Sequence, residues 1–193
     1  MRFALLFGFG AVTISFFDGF HTHSHTTVYP HAWILEMAWW TPLLFGSVVA
    51  FGGIAYAIAH RRLGGNPKIH SIATLATAFV LFGILYFASG YLPASNASKL
   101  VVMLAGAAGL WTWLDRSPAG IALAIVNAIG GCSTEVTLVH FDAFRHLQPD
   151  LLGIPIWLPG LYLAAAPVIG HVARRVLHTR ETAQRQRPTV WLP

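Results

Sequence analysis

A chain of 193 residues that is 55% hydrophobic and only 10% charged is long enough for one good-sized domain and suits a bilayer better than water. Its net charge of +5 does not point to nucleic acid, because the basic residues lie at the ends of apolar segments and in the tail, with no basic-aromatic face for a phosphate backbone. A single cysteine, Cys132, excludes an intrachain disulfide.

In chain order the sequence predicts six apolar helices. Arg2 and the apolar run after it look like a signal peptide, but no small-x-small cleavage site follows, so Phe3 to Phe17 reads as a retained helix extended by Asp18 to Phe20. A polar loop, His21 to His31, leads to a second segment from Ala32 to His60, longer than a span needs, with a kink expected at Thr41-Pro42. Gly64-Gly65-Asn66-Pro67, flanked by Arg61, Arg62 and Lys68, marks a turn. The third to sixth segments run over Ser71–Ser89, Ser98–Leu114, Pro118–Val139 and Gly153–Val176. Residues 1–178 thus form an all-α, six-span membrane domain, and 179–193 a basic cytoplasmic tail, expected to be disordered or to lie on the membrane surface. Six spans place Arg2, Arg61, Arg62, Lys68, Arg116, Arg174, Arg175, Arg180, Arg185 and Arg187 on one side, and only Lys99 and Arg145 on the other. By the positive-inside rule both termini are then cytoplasmic. Ala105 to Gly109, Gly130-Gly131 and Ala164 to Ala166 supply small faces for close helix packing and make a homo-oligomer, such as a trimer, an expectation.

The turn Trp111-Thr112-Trp113-Leu114-Asp115-Arg116-Ser117-Pro118 is the most informative stretch. Ser117-Pro118 has the form of an N-cap followed by proline at the first helical position, and Asp115 sits beside the free donors of that helix start. Two readings follow: a hairpin with its charges in the headgroups, or a rigid turn whose Asp115 and Arg116 contact another protein.

Three other groups could carry function. His21, His23, His25 and His31, with Asp18, Glu36, Glu135 and His140 brought near, have the residue types of a metal site; the alternative is a solvated loop. Glu135 is a carboxylate in an apolar helix, but roughly 27 Å from Ser117 it falls near the far interface. Of the tryptophans, Trp33 and Trp157 suit the interfacial belt, whereas Trp39, Trp40 and Trp111 lie deeper and could line a pocket with helix-three aromatics. No mid-membrane charge pair marks an ion path, so a transporter fits poorly.

Ala38-Trp39-Trp40-Thr41-Pro42, Gly109-Leu110-Trp111 leading to Asp115-Arg116-Ser117, and Trp157-Leu158-Pro159, in this order and spacing, resemble the INSIG proteins over essentially Phe3 to Val176. The resemblance implies a non-enzymatic, six-span protein with no catalytic residues, cofactor or metal, binding a sterol in the membrane and contacting a polytopic partner through the Asp115 turn. It places the pocket among helices one to five, at Trp39, Trp40, Phe79, Phe82, Ser98 and Trp111. Ser98 beside Lys99 stands where the family has a pocket glutamine, so a neutral lipid such as diacylglycerol is the expected alternative to sterol. A compact, Ala-rich chain suggests a bacterial relative in the plasma membrane; a eukaryotic one would reside in the endoplasmic reticulum. The competing reading is a metal-dependent membrane hydrolase or hydroxylase using His21 to His31.

Overall fold

The computed structural model describes residues 1–65 and 68–185, so Asn66 and Pro67 of the expected turn, and Arg187 of the tail, lie outside the described residues. Six long helices are present: α1 Arg2–His23, α2 Thr41–Arg62, α3 Ile72–Tyr91, α4 Asn96–Leu114, α5 Pro118–His140 and α6 Leu158–Arg185. The first five are long and apolar enough to cross a membrane. The sixth is the hub, touching each of the other five, with Ala164, Val168 and Ala173 fully buried. The expected sixth span is therefore a central helix, with His171 buried and Arg174 and Arg175 half-buried. It continues through the first part of the expected tail, to Arg185.

The local chemistry explains most helix boundaries. Ser71, Ser95 and Ser117 each accept a hydrogen bond from a backbone N–H in the first turn of α3, α4 and α5. Helix α2 begins nine residues later than the sequence suggests, because Ala32 to Trp40 is irregular, with Leu35 and Glu36 at φ 54° and 58°. Pro42 consequently starts the helix instead of kinking it. The irregularity inside α2 is a π-turn at Val48–Gly52. Helix α1 runs through His23, which converts the expected extended histidine segment into a helix end. A short antiparallel ribbon, β1 Thr27–Val28 with β2 Arg145–His146, ties the α1–α2 loop to the α5–α6 loop and puts Thr27 opposite His146.

The surface is apolar and the interior is partly polar. Val12, Phe51, Val80, Val101 and Ile129 are more than half exposed, while Asp18, His21, His60, Lys99, Asp115 and His171 are buried. That inversion is the arrangement a lipid-facing bundle requires. Close helix contact is made where glycine removes a side chain: a Cβ on Gly10 would lie 2.5 Å from Val49, and one on Gly46 would lie 2.9 Å from Phe7. Of the small residues expected to allow close packing, Ala164 to Ala166 are buried, and a Cβ on Gly106 would lie 2.5 Å from Leu85 and one on Gly131 2.4 Å from Tyr162, while around Gly109 and Gly130 a Cβ would meet nothing within 4 Å.

Trp157, expected in the interfacial belt, is 1% exposed and its indole N–H donates to Asn96 Oδ1 at 3.1 Å. Its position just before α6 places it in the core, against His21.

Candidate functional site

A cavity of about 390 Å³ opens between α1, α2, α3, α5 and α6. Its walls are apolar over most of their length: Ile14, Leu44, Phe45, Val48, Val49, Phe82, Leu158, Leu161 and Ala165. One region is polar, where Asp18, His21, Thr27, Tyr29, Tyr86, Glu135, His146 and Tyr162 converge from four helices and the ribbon. An apolar pocket with a few fixed polar groups is the usual form of a small-molecule site, and this volume lies within the usual range.

The polar groups are held by two carboxylates. Asp18, 5% exposed, accepts hydrogen bonds from Tyr29 (3.0 Å) and Tyr86 (3.3 Å), with His21 Nδ1 at 3.6 Å. Burial, then the Asp18 charge, pushes the Tyr29 phenol well above its ordinary value, so it remains a donor. Glu135 accepts from the Tyr162 hydroxyl at 2.6 Å and from His146 Nε2 at 2.8 Å. Gly131 gives Tyr162 its place, since a Cβ there would come within 2.4 Å of the ring. With its Nε2 on Glu135, His146 has its Nδ1 left as the ring's second polar atom. That Nδ1 and the Thr27 hydroxyl oxygen are buried and have no hydrogen-bond partner among the described residues. Buried polar atoms of this kind cost about 1–3 kcal/mol each unless something else satisfies them.

Trp40 and Phe82, of the expected pocket residues, line the cavity. The others lie elsewhere. Trp39 precedes α2 and is 64% exposed; Phe79 stacks with Phe9 and Phe17 in the α1–α3 core; Ser98 is exposed in the first turn of α4, donating its N–H to Ser95 Oγ. Trp111 packs over the central turn, its indole N–H donating to the Ser117 carbonyl at 3.2 Å. Asp18, Tyr29, Tyr86, His146 and Tyr162 were not recognised as pocket residues from the sequence. Their signal was the occurrence of Asp18 and Glu135 in apolar helices; Glu135, expected near the far interface, accepts from His146 and Tyr162 of the same chain.

The histidine segment does not assemble a metal site among the described residues. His21 Nε2 bonds Ser89 Oγ at 2.7 Å, His23 Nδ1 pairs with Tyr91, and His25 and His31 are exposed. The single grouping of three metal-ligating side chains among the described residues is His60, Asp115 and His171, all buried at the central turn.

That turn is built around Asp115. Oδ2 accepts from Tyr56 Oη (3.0 Å) and His60 Nε2 (2.7 Å), while Oδ1 accepts from the Ser117 hydroxyl and from the Ser117 N–H at 3.3 Å. Gly120 lets the carboxylate approach α5, since a Cβ there would sit 2.1 Å from Oδ2. Burial alone would raise the pKa, but His171, His60 and Ser117 outweigh it and hold the carboxyl well below its ordinary range. Asp115 is 2% exposed, so it fixes the conformation of the turn and is not itself a surface for a partner. Arg116 is exposed, at φ 61°, with its Nε donating to the Thr112 carbonyl. A non-glycine residue in that conformation costs roughly 1–2 kcal/mol.

No family model matches the chain. In sequence it is 28% identical over 180 residues to the insulin-induced gene 1 protein of Cricetulus griseus, covering 91% of this chain and 70% of that one. The Homo sapiens protein of the same name is also 28% identical over 91% of this chain, and 65% of its length is covered. In fold the chain matches the crystal structure of MvINS, a mycobacterial Insig homologue from Mycobacterium vanbaalenii, with a TM-score of 0.78 at 22% identity, over 91% of this chain and 94% of that one. A cross-linked trimer of MvINS matches equally well.

Proposed function

For a chain that is an Insig-like, multi-pass membrane protein in sequence and fold, we propose a non-enzymatic role: holding one neutral lipid in the cavity between α1, α2, α3, α5 and α6. The observation that carries this reading is a set of buried polar atoms with no hydrogen-bond partner among the described residues, His146 Nδ1, Thr27 Oγ1 and Thr41 Oγ1, on residues lining a cavity that is apolar over most of its wall. A lipid hydroxyl donates to His146 and a neighbouring oxygen accepts from Thr27, while the acyl chains take the apolar length. Two polar atoms facing each other on paired strands suit a neutral lipid that carries a hydroxyl, and a glycerolipid such as diacylglycerol adds ester carbonyls that the Thr27 hydroxyl can meet as a donor. The trimer of MvINS supports homo-oligomeric assembly, and the exposed Arg116 beside the buried Asp115 node offers a contact for a polytopic partner.

Thr27→Val tests the reading because its two effects have different signs. Removing an unpartnered buried hydroxyl leaves thermal stability unchanged or raises it by about 1 kcal/mol, whereas losing the lipid's hydrogen bond weakens neutral-lipid affinity about tenfold. Lipid extracted from purified protein and quantified by mass spectrometry, beside a thermal melt, reads both. Wild-type lipid occupancy and affinity in the variant would sink the assignment of the polar end.

A further inference from the structure

We propose that His60, Asp115 and His171 form a binding site for a zinc-type divalent transition metal, a site separate from the lipid cavity. The three ligand atoms come from α2, the α4–α5 turn and α6, and lie within 4.8 Å of one another. His60 Nε2 is 2.7 Å and His171 Nε2 3.7 Å from Asp115 Oδ2. Ligand atoms around a tetrahedral zinc stand about 3.3 Å apart, so small side-chain movements suffice. Two imidazoles and one carboxylate select zinc or cobalt over magnesium or calcium, and leave a fourth position for water.

The second observation is His171 itself. It is 2% exposed, yet its Nε2 has no hydrogen-bond partner among the described residues and faces the Asp115 carboxylate from just beyond bonding distance. An imidazole nitrogen buried in that state is unsatisfied as it stands and satisfied as a metal ligand. Tyr56 and Ser117 already bond the carboxylate, which is the outer support that a ligating aspartate needs.

Arg174 decides how the site fills. Its Nη1 lies 3.4 Å from Nδ1 of both His60 and His171, which keeps those nitrogens as acceptors and the protons on Nε2. A metal takes the Nε2 lone pairs and so moves the imidazole protons to Nδ1, where the guanidinium then opposes them. Arg174 is only partly buried, so its head can swing outward. Metal and Arg174 therefore compete for the same two histidines.

The test is titration of the untagged, chelator-stripped full chain in detergent with Co²⁺, followed by visible absorption, with Zn²⁺ used to displace it. One Co²⁺ per chain is expected, with the d–d bands of tetrahedral cobalt. These bands are absent from His171→Gln, unchanged when the exposed His23, His25 and His31 are all replaced by Gln, and appear at least threefold tighter in Arg174→Gln. His171 Nε2 stands 3.7 Å from Asp115 Oδ2, and glutamine keeps an amide donor near that carboxylate, so the Gln variant is expected to fold; Arg174→Gln gives an independent reading if it does not. No bands in the wild type, bands that survive His171→Gln, bands lost with the three exposed histidines, or weaker binding in Arg174→Gln would each overturn the site. Lipid content is read separately from the same sample, so failure here leaves the cavity assignment standing.

Discussion

Asp115→Ala is expected to destabilise the protein by about 3–5 kcal/mol, the range for removing one partner of a buried charged pair. The donors that converge on that carboxylate include Tyr56, His60 and both donors of Ser117. Without it, the Tyr56 hydroxyl stays buried without its acceptor, the His60 Nε2 proton keeps only Ser117 Oγ at 3.4 Å, and the α4–α5 turn loses the contact that seats Ser117 as the cap of α5. At roughly 2–4 °C per kcal/mol for a chain of this size, the melting temperature in detergent falls by about 6–20 °C. The pH dependence follows from the depressed carboxyl pKa. The Asp115 contribution is fully present above the unfolded value, about pH 4, and is lost as pH falls toward the lower folded value. The gap between wild type and variant thus narrows as pH falls below about 4. Lipid content stays near wild type in molecules that fold, because Asp115 does not line the cavity. A melting temperature within 2 °C of wild type would show that the carboxylate does not hold the turn.

The second large effect is on the cavity. Gly52 and Gly130 both line it, and a Cβ at either would meet nothing within 4 Å. Gly52→Leu with Gly130→Leu therefore adds bulk to open space without a clash, and replacing helical glycine lowers the backbone entropy lost on folding. Stability holds or rises, while a ligand forced past the new side chains meets an overpacking cost of about 1–3 kcal/mol, up to a hundredfold in affinity. Unchanged lipid content in the double variant, with its fold intact, would show that lipid binds elsewhere.

The helices were legible in the sequence because apolar runs and serine caps are local signals. Ser117 caps α5 as the sequence suggests, while Ser71 caps the helix expected to start with it and α4 starts at Asn96 under a Ser95 cap, two residues before the expected Ser98. What the sequence could not show was which polar residues meet. Asp18 and Tyr86 are 68 positions apart, Tyr29 and Asp18 are joined only because the α1–α2 loop folds back, and Glu135 finds His146 through the ribbon. The tryptophans misled for a related reason. Their spacing marks the chain's resemblance, but the aromatic surface of the cavity comes from Tyr29, Phe45, Phe82, Tyr86, Phe144 and Tyr162, with only Trp40 of the Trp39-Trp40 pair. At the central turn, Asp115 was recognised by its place beside a helix start. Its burial under Tyr56, His60 and His171 depends on α2 and α6 and has no trace within the motif.

Native mass spectrometry of the detergent-purified full-length protein tests the lipid-holding role most directly. One neutral lipid per chain, retained by the wild type and depleted in the Gly52→Leu, Gly130→Leu double variant, is the expected result. A wild-type protein that carries no lipid and shows no affinity for diacylglycerol or sterol would contradict it.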